Sequence, residues 1–421
     1  MVLQNLYDAV IDGNNLYDFP LPSLAIAAGA KRIYIRPGTY NESKTISVPQ
    51  GTTITGAQVD STIIDFGGNN ASLVSDSGYG TSVTNGTIAV TQGSATVVGT
   101  GTTFLTSLVT ATGKYIVIDK NSYIISSITN DTTLVLAYPF RGRTRSGLSY
   151  KALAMYSGLE VLNLTIRNST SVGLRLSGNR RVRVSNVVIR NCATNMVMQD
   201  CIESVVKSLN SSQSTVAGLS LISVDSSNFK DLFLLNNVSD GLVVTGDCSG
   251  LRLRSVDAAN NGANGVNLNA TQLSNFGLTG GTFFDNVANG FLCNANASNV
   301  TLAFTDAESN GDTGATFAGN NGTFSGCTFS FNVNVGLDVP GNDCVVQGCN
   351  GTGGANQPIG VRFSGMRGVM TGSSFTNNGT NSVNLTATAQ MVLVATSNLS
   401  GAGDTQIQDD SYASYTSLNM L

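Results

Sequence analysis

Asp257 and Asp306 each stand eight residues before a glycine, Gly265 and Gly314, and Glu308 follows Asp306 by two. Carboxylates held in register can cut glycosidic bonds, one protonating the leaving oxygen while the other activates water. If the two glycines hold equivalent places in a repeat, Asp257 and Asp306 share a column with Thr282 between them. Two rungs of β-structure put such backbones about 9.5 Å apart. That is at the upper edge of the roughly 6.5–9.5 Å between carboxyl groups in inverting glycosidases. Glu308 shares the face of Asp306 if the strand is regular. The competing reading is plain: Asp and Glu at strand ends are most often simply solvated. The chain has no His, which removes His-based triads, His metal sites and imidazole acid–base catalysis together.

Two basic clusters offer different chemistry. Arg181 and Arg183, with Arg180 beside them and Arg167, Arg175 and Arg190 nearby, could pair with an anionic glycan or with an acidic neighbouring chain. "RGRTR" (Arg141, Arg143, Arg145) is expected to be a docking patch. Between 255 and 361 there is no Lys or Arg but seven Asp or Glu, a surface that repels phosphate backbones, so no nucleic-acid partner is expected. Asp306, Glu308 and Asp312 supply oxygen ligands without the spacing of a calcium loop, and the seven Cys show no C-x-x-C pair. No metal, cofactor or disulfide framework is expected, and the Cys read as small buried hydrophobes.

What must position these residues is a repeat. "NVSDGLVV" (237–244), "NGANGVNL" (261–268), "NVANGFLC" (286–293), "NGDTGATF" (310–317), "NVNVGLDV" (332–339) and "NQPIGVRF" (356–363) share Asn, three variable residues, Gly, then apolar residues two apart. The Gly or its stand-in recurs at 173, 195, 218, 241, 265, 290, 314, 336, 360 and 382, a period of 22–25 residues. Such a period means stacked structural repeats, and the leucine-rich pattern is absent. Short alternating runs such as "LVVT" and "VNLN" between Gly, Asn and Ser fit strands rather than helices. The fold expected is all-β, a right-handed parallel β-helix of about ten to twelve coils. In it the frame Gly provides a positive-φ corner, and Asn237, Asn261, Asn286, Asn310, Asn332, Asn356 and Asn378 stack as an amide ladder. Phe291, Phe317 and Phe363 fall on inward positions. With no Trp, and no Tyr between Tyr156 and Tyr412, the shaft is expected to lack aromatic platforms for sugars.

Four segments follow: 1–80 with a capping helix in "PSLAIAAGA" and the first coils; 81–151, which breaks the period with six or seven strands and reads as an inserted small β-barrel or sandwich; 152–400, the main parallel β-helix; and 401–421, a C-terminal cap or oligomerisation tail. No stretch reaches the roughly 20 apolar residues of a membrane span, and "MVLQNLYDAV" lacks the basic start of a secretory signal, so assembly in a cytoplasm without membrane insertion is expected.

The stretch "LPSLAIAAGAKRIYIRPGTYNESKTISVPQGTTITGAQVDSTIIDF" (21–66), taken with the repeats, resembles the pectate-lyase-like right-handed β-helix superfamily, which includes polysaccharide lyases, glycoside hydrolases and bacteriophage tailspikes. "GTGTTF" and "YIVI…NSYIISSITNDTTLVLAYPFRGRTRSG" resemble a small β-module of phage virion proteins. The resemblance implies a homotrimeric tailspike on a virion, with other virion proteins and host cell-surface polysaccharide as partners. Its rivals are a glycan depolymerase and a capsid-decorating protein. Lyases of the superfamily pair calcium-binding carboxylates with a basic proton acceptor, and 255–361 has no basic residue, so any activity is expected to be hydrolysis.

Overall fold

Inward side chains two apart along short strands leave the backbone edges free to pair, and a 22–25-residue period lets every strand pair with its own copy one coil later. The computed structural model describes residues 6–14, 16–76, 83–108, 114–119, 121–354, 356–400, 405–411 and 415–417. In them a 21-stranded and a 13-stranded sheet, both parallel, wind as a right-handed β-helix. The tail residues at 401–404, 412–414 and 418–421 and the N-terminal residues 1–5 and 15 lie outside the described residues. Thr405–Asp409 and Tyr415–Ser417 stack on Asn381–Leu385 and Leu393–Ala395, so the described part of the tail continues the coil.

One coil shows how the sequence makes the shape. Strand Gln272–Phe284 sends Leu273, Phe276, Leu278 and Phe283 inward, and Phe291 and Cys293 complete the ring of core side chains. Between these runs the chain turns at residues in the left-handed region: Asn275 (φ 54°), Gly280 (φ 70°) and Asp285 (φ 51°). Each belongs to a column of turning residues repeated coil after coil, as in Asn236, Asn260, Asp285, Ser309 and Phe331. Asn, Asp and Ser hold most of these places because a short polar side chain tolerates that conformation.

The frame glycines do something else. None has a positive φ, contrary to expectation. They are small because the Asn ladder passes over them: a Cβ at Gly265 would lie 2.6 Å from the Gly290 carbonyl oxygen and 2.9 Å from Asn286 Nδ2. The ladder itself is buried and continuous. Asn237, Asn261, Asn286 and Asn310 each donate from Nδ2 to Oδ1 of the next Asn at 2.9–3.0 Å. The backbone N–H of each rung donates to the same oxygen, and the second amide proton reaches a carbonyl, as Asn286 does to Ala258 at 2.9 Å. All four bonding capacities of each middle amide are met. The rung expected at Asn356 falls instead to Gln357, fully buried between Asn332 and Asn378, while Asn356 is exposed. Gly353 leaves it room, since a Cβ there would meet Gln357 Cβ at 1.9 Å. All seven Cys are buried and unpaired, five of them deep in the column.

Helix Pro22–Ala27 starts on Pro, whose fixed φ suits a first helical position, and buries Ala25 and Ile26 near the first coils. From 87 to 154 the chain leaves the column as a seven-stranded antiparallel sheet, Thr87–Val90 through Tyr150–Ala154, around a core of its own that includes Ile88, Val97, Phe104, Ile116, Leu134 and Tyr150. Its seam with the helix is apolar and charged at once: Tyr115, Leu153, Met155 and Ile202 form a separate cluster, and Lys151 pairs with Asp200 at 2.7 Å.

Candidate functional site

The outward side of the column is where neighbouring coils need not agree, and one short face of it collects polar and aromatic groups. It lies on the four residues between two turning columns. Register places Asp257 against Thr282 and Thr282 against Asp306, with Phe233 before and Thr328 after. Glu308 stands on the same face against Phe284. The structure therefore brings Asp257, Asp306 and Glu308 to one surface.

Their environments differ. Asp257 is half-buried and accepts from Thr282 N–H at 3.1 Å and Thr282 Oγ1 at 3.0 Å through one oxygen. Asp306 is exposed. Glu308 is partly buried, and that burial, reinforced by the Asp306 charge, pushes its carboxyl above the usual carboxylate range. Two carboxyl groups two residues apart on a strand, about 6.6 Å by strand rise, with one held toward its neutral form, are what acid–base work at a glycosidic bond requires.

Aromatic rings surround them, against the expectation of a shaft without platforms. Phe291, Phe317 and Phe363 are indeed core, but Phe233, Phe284, Phe304 and Phe331 are 42%, 43%, 68% and 54% exposed. Phe304 and Phe331 occupy turning columns with φ of 53° and 57°. A bulky side chain in that conformation is strained, and such strain gathers at functional sites. The Phe304 ring lies over Gly326, where a Cβ would come within 2.9 Å of it. The signal was present in the sequence: ten residues before the frame Gly stand Ser208, Asp231, Ser255 and Gly280 in earlier coils, and Phe304 alone breaks that turn chemistry.

The basic residues are dispersed. Arg181 sits at a turn (φ 54°) and bonds Glu203 at 3.2 Å, whereas Arg183 lies on strand Arg183–Arg190 and reaches Glu160 at 3.8 Å. Arg145 pairs with Asp119 inside the insert, Arg143 is exposed, and Arg141 lines a cleft at the seam. Docking of the insert runs through Arg180, absent from "RGRTR". Arg180 stacks over the Tyr115 ring at 4.5 Å, donates to Tyr115 Oη at 3.1 Å and pairs with Glu203 at 2.6 Å, and Ser122 bonds Glu203 in turn. Among the described residues no group of three or more His, Cys, Asp or Glu is placed to hold a metal ion. Among them, too, no helix is long and apolar enough to cross a membrane.

Residues 23–220 match the family model described as rhamnogalacturonase A/epimerase, pectate lyase-like. No curated protein matches the sequence. Among solved structures, the A-modules of mannuronan C-5 epimerases AlgE6 and AlgE4 of Azotobacter vinelandii are each 15% identical, over 94% of this chain and 93% of theirs, with a TM-score of 0.56. The tailspike protein gp49 of Pseudomonas phage LKA1 is 12% identical over 92% of this chain and 73% of its own, with a TM-score of 0.47. The match over 23–220 is thus to a pectate-lyase-like family model, and the stacked parallel coils form a right-handed parallel β-helix.

Proposed function

We propose that the protein binds a polysaccharide on the face of Asp257, Thr282, Asp306 and Glu308, and that it serves as a trimeric bacteriophage tailspike adsorbing to host-surface glycan. The observation that carries the binding reading is the pair of strained, exposed rings, Phe304 and Phe331, beside carboxylates and hydroxyls. Pyranose rings pack apolar faces on aromatic rings while their hydroxyls bond acceptors such as carboxylates. The virion assignment is supported by the likeness of the insert to phage modules. Self-association is supported by a ribbed apolar strip: Val238, Val287 and Val333, each more than half exposed, alternate with Gly262 and Gly311 along one edge. Such a strip offers a second copy a repeating surface.

A second reading is favoured by the raised Glu308 carboxyl. Glu308 in its acid form donates its proton to the glycosidic oxygen as the bond to the anomeric carbon breaks. Asp306 takes a proton from the water that attacks the opposite face of that carbon, an inverting hydrolysis. No Lys or Arg in 255–361 is present to abstract a ring proton as a lyase would.

The test is adsorption. Purified protein is expected to compete with phage for host cells, and Phe304→Ala with Phe331→Ala to abolish competition without changing the melting temperature by more than a few degrees. Unaltered competition by the double variant would refute the face. Reducing-sugar release by the wild type, lost in Glu308→Gln with binding kept, separates the enzyme from the pure receptor. Antibody labelling of the capsid shell rather than the tail would refute the tailspike assignment. A monomer in sedimentation would refute the trimer.

A further inference from the structure

The seam between the seven-stranded insert and the helix holds a second site of opposite character. An open cleft of about 550 Å³ runs between Asn121–Ile124, Tyr138–Gly142 and the turn at Arg180 and Arg181. That volume is in the range of small-ligand pockets, roughly 300–1,000 Å³.

Three arginines line it, Arg141, Arg180 and Arg181, against a chain whose net charge is −4. One neighbouring carboxylate, Glu203, is shared between Arg180 and Arg181 and also bonded by Ser122, so positive charge remains in excess at the cleft. Arg180 is 7% exposed, and its Nε has no hydrogen-bond partner among the described residues. A buried donor without a protein acceptor is costly in a native protein unless water or an ion meets it. The cleft's other wall is flat and partly apolar: Tyr138 is 68% exposed and Tyr123 and Pro139 stand beside it.

We infer that this cleft binds an anionic saccharide, a sugar unit carrying a carboxylate, sulfate or phosphate. The guanidinium forks of Arg141 and Arg181 hold the anion, and the ring lies against Tyr138. Arginine suits planar or tetrahedral oxyanions by paired parallel hydrogen bonds, and a tyrosine face suits a sugar ring. A nucleic acid offers the same two features over a longer run of phosphates, so it is the competing occupant that the test must separate. A single sugar unit with its anion needs only the local charge. The site is separate from the Asp306 face, of the opposite sign of charge and at the seam between the insert and the turn at Arg180 and Arg181.

Isothermal titration of the full chain in low salt tests this with four probes: a hyaluronan tetrasaccharide (carboxylate only), a heparin tetrasaccharide (sulfate and carboxylate), cellotetraose (neutral) and an oligothymidylate. At least one anionic saccharide is expected to bind about tenfold or more tighter than cellotetraose, with Arg141→Ala and Tyr138→Ala each weakening it about tenfold and Arg141→Lys recovering part of the loss. Which of the two binds better assigns the anion. Asp306→Asn is expected to leave this binding unchanged, so failure of the Asp306 face and failure of the cleft read differently. Equal affinity for cellotetraose, no binding by either anionic saccharide, indifference to both alanine variants, or tighter binding of the oligothymidylate would each overturn the inference.

Discussion

The ladder side of the column and the face carrying Asp306 are built from the same coils, yet one is nearly invariant and the other different at every rung. From Asn237 through Asn261, Asn286, Asn310, Asn332 and Gln357 to Asn378, each amide donates to the amide one rung on, and the Gly behind it has no room for a Cβ. Along Phe233, Asp257, Thr282, Asp306 and Thr328, no side chain depends on its copy in this way, apart from the Thr282–Asp257 bonds. Repetition is thus enforced where groups are buried and must pair. Departure from repetition is tolerated outside, so that is where chemistry can be written into a repeat protein.

The largest way to break this contrast is in the ladder. Asn286→Leu removes both the donor to Asn310 and the acceptor of Asn261 and leaves buried partners unpaired, so a loss of about 3–5 kcal/mol in denaturant unfolding is expected. A loss no greater than that of an exposed Asn would show the ladder to be decoration. Next in size is an outward position that is nonetheless buried. Asp225, beside Lys151 of the insert, has its carboxyl pushed up to about 6, chiefly by burial. Its acid form is the one the fold prefers, so its contribution is complete below about pH 4 and disappears as the pH rises through 6, a fall of roughly 2–3 kcal/mol. Stability measured from pH 4 to 7 should show that fall, and Asp225→Asn should flatten it.

Gly290→Ala comes third. Its Cβ would stand 2.6 Å from the Gly314 carbonyl oxygen and 2.8 Å from Asn310 Nδ2, an overpacking cost of about 1–3 kcal/mol. Gly277→Ala, with nothing within 4 Å, is the matched control and should be near neutral in the same melting experiment. The smallest effect has the opposite sign. Phe304→Asn puts a residue tolerant of φ 53° into the turning column and should raise stability by about 1 kcal/mol while weakening glycan binding. A variant that melts lower would show that Phe304 is held there by packing and not by function.

The column geometry was legible in the sequence because period and register are the same information. Eight residues before Gly265 and Gly314 sufficed to put Asp257 and Asp306 on one face with Thr282 between. The frame failed locally at Asn356, where Gln357 with its longer side chain reaches the rung that the Asn spacing assigned one residue earlier. Residue type is a poor guide to the exposed phenylalanines: Phe is buried so often that type alone points Phe233, Phe284, Phe304 and Phe331 inward, and only their place in the frame puts them outside. Nothing periodic relates the insert to the coils, so the contact of Arg180 with Tyr115, and the cleft that Tyr138 opens beside it, could come only from the three-dimensional arrangement.

The amides of the ladder all give their proton in one direction, from each coil to the next toward the C-terminus. Aligned in this way their dipoles add, and each bond polarises the following one. The two ends of the stack are therefore chemically unlike: Ser214 donates into the first Asn, whereas Asn378 presents an Nδ2 with no acceptor among the described residues. Anything that extends this column beyond Asn378 must arrive with a carbonyl or carboxylate facing it, so the stack reads as an arrow and two copies could not be joined tail to tail through it.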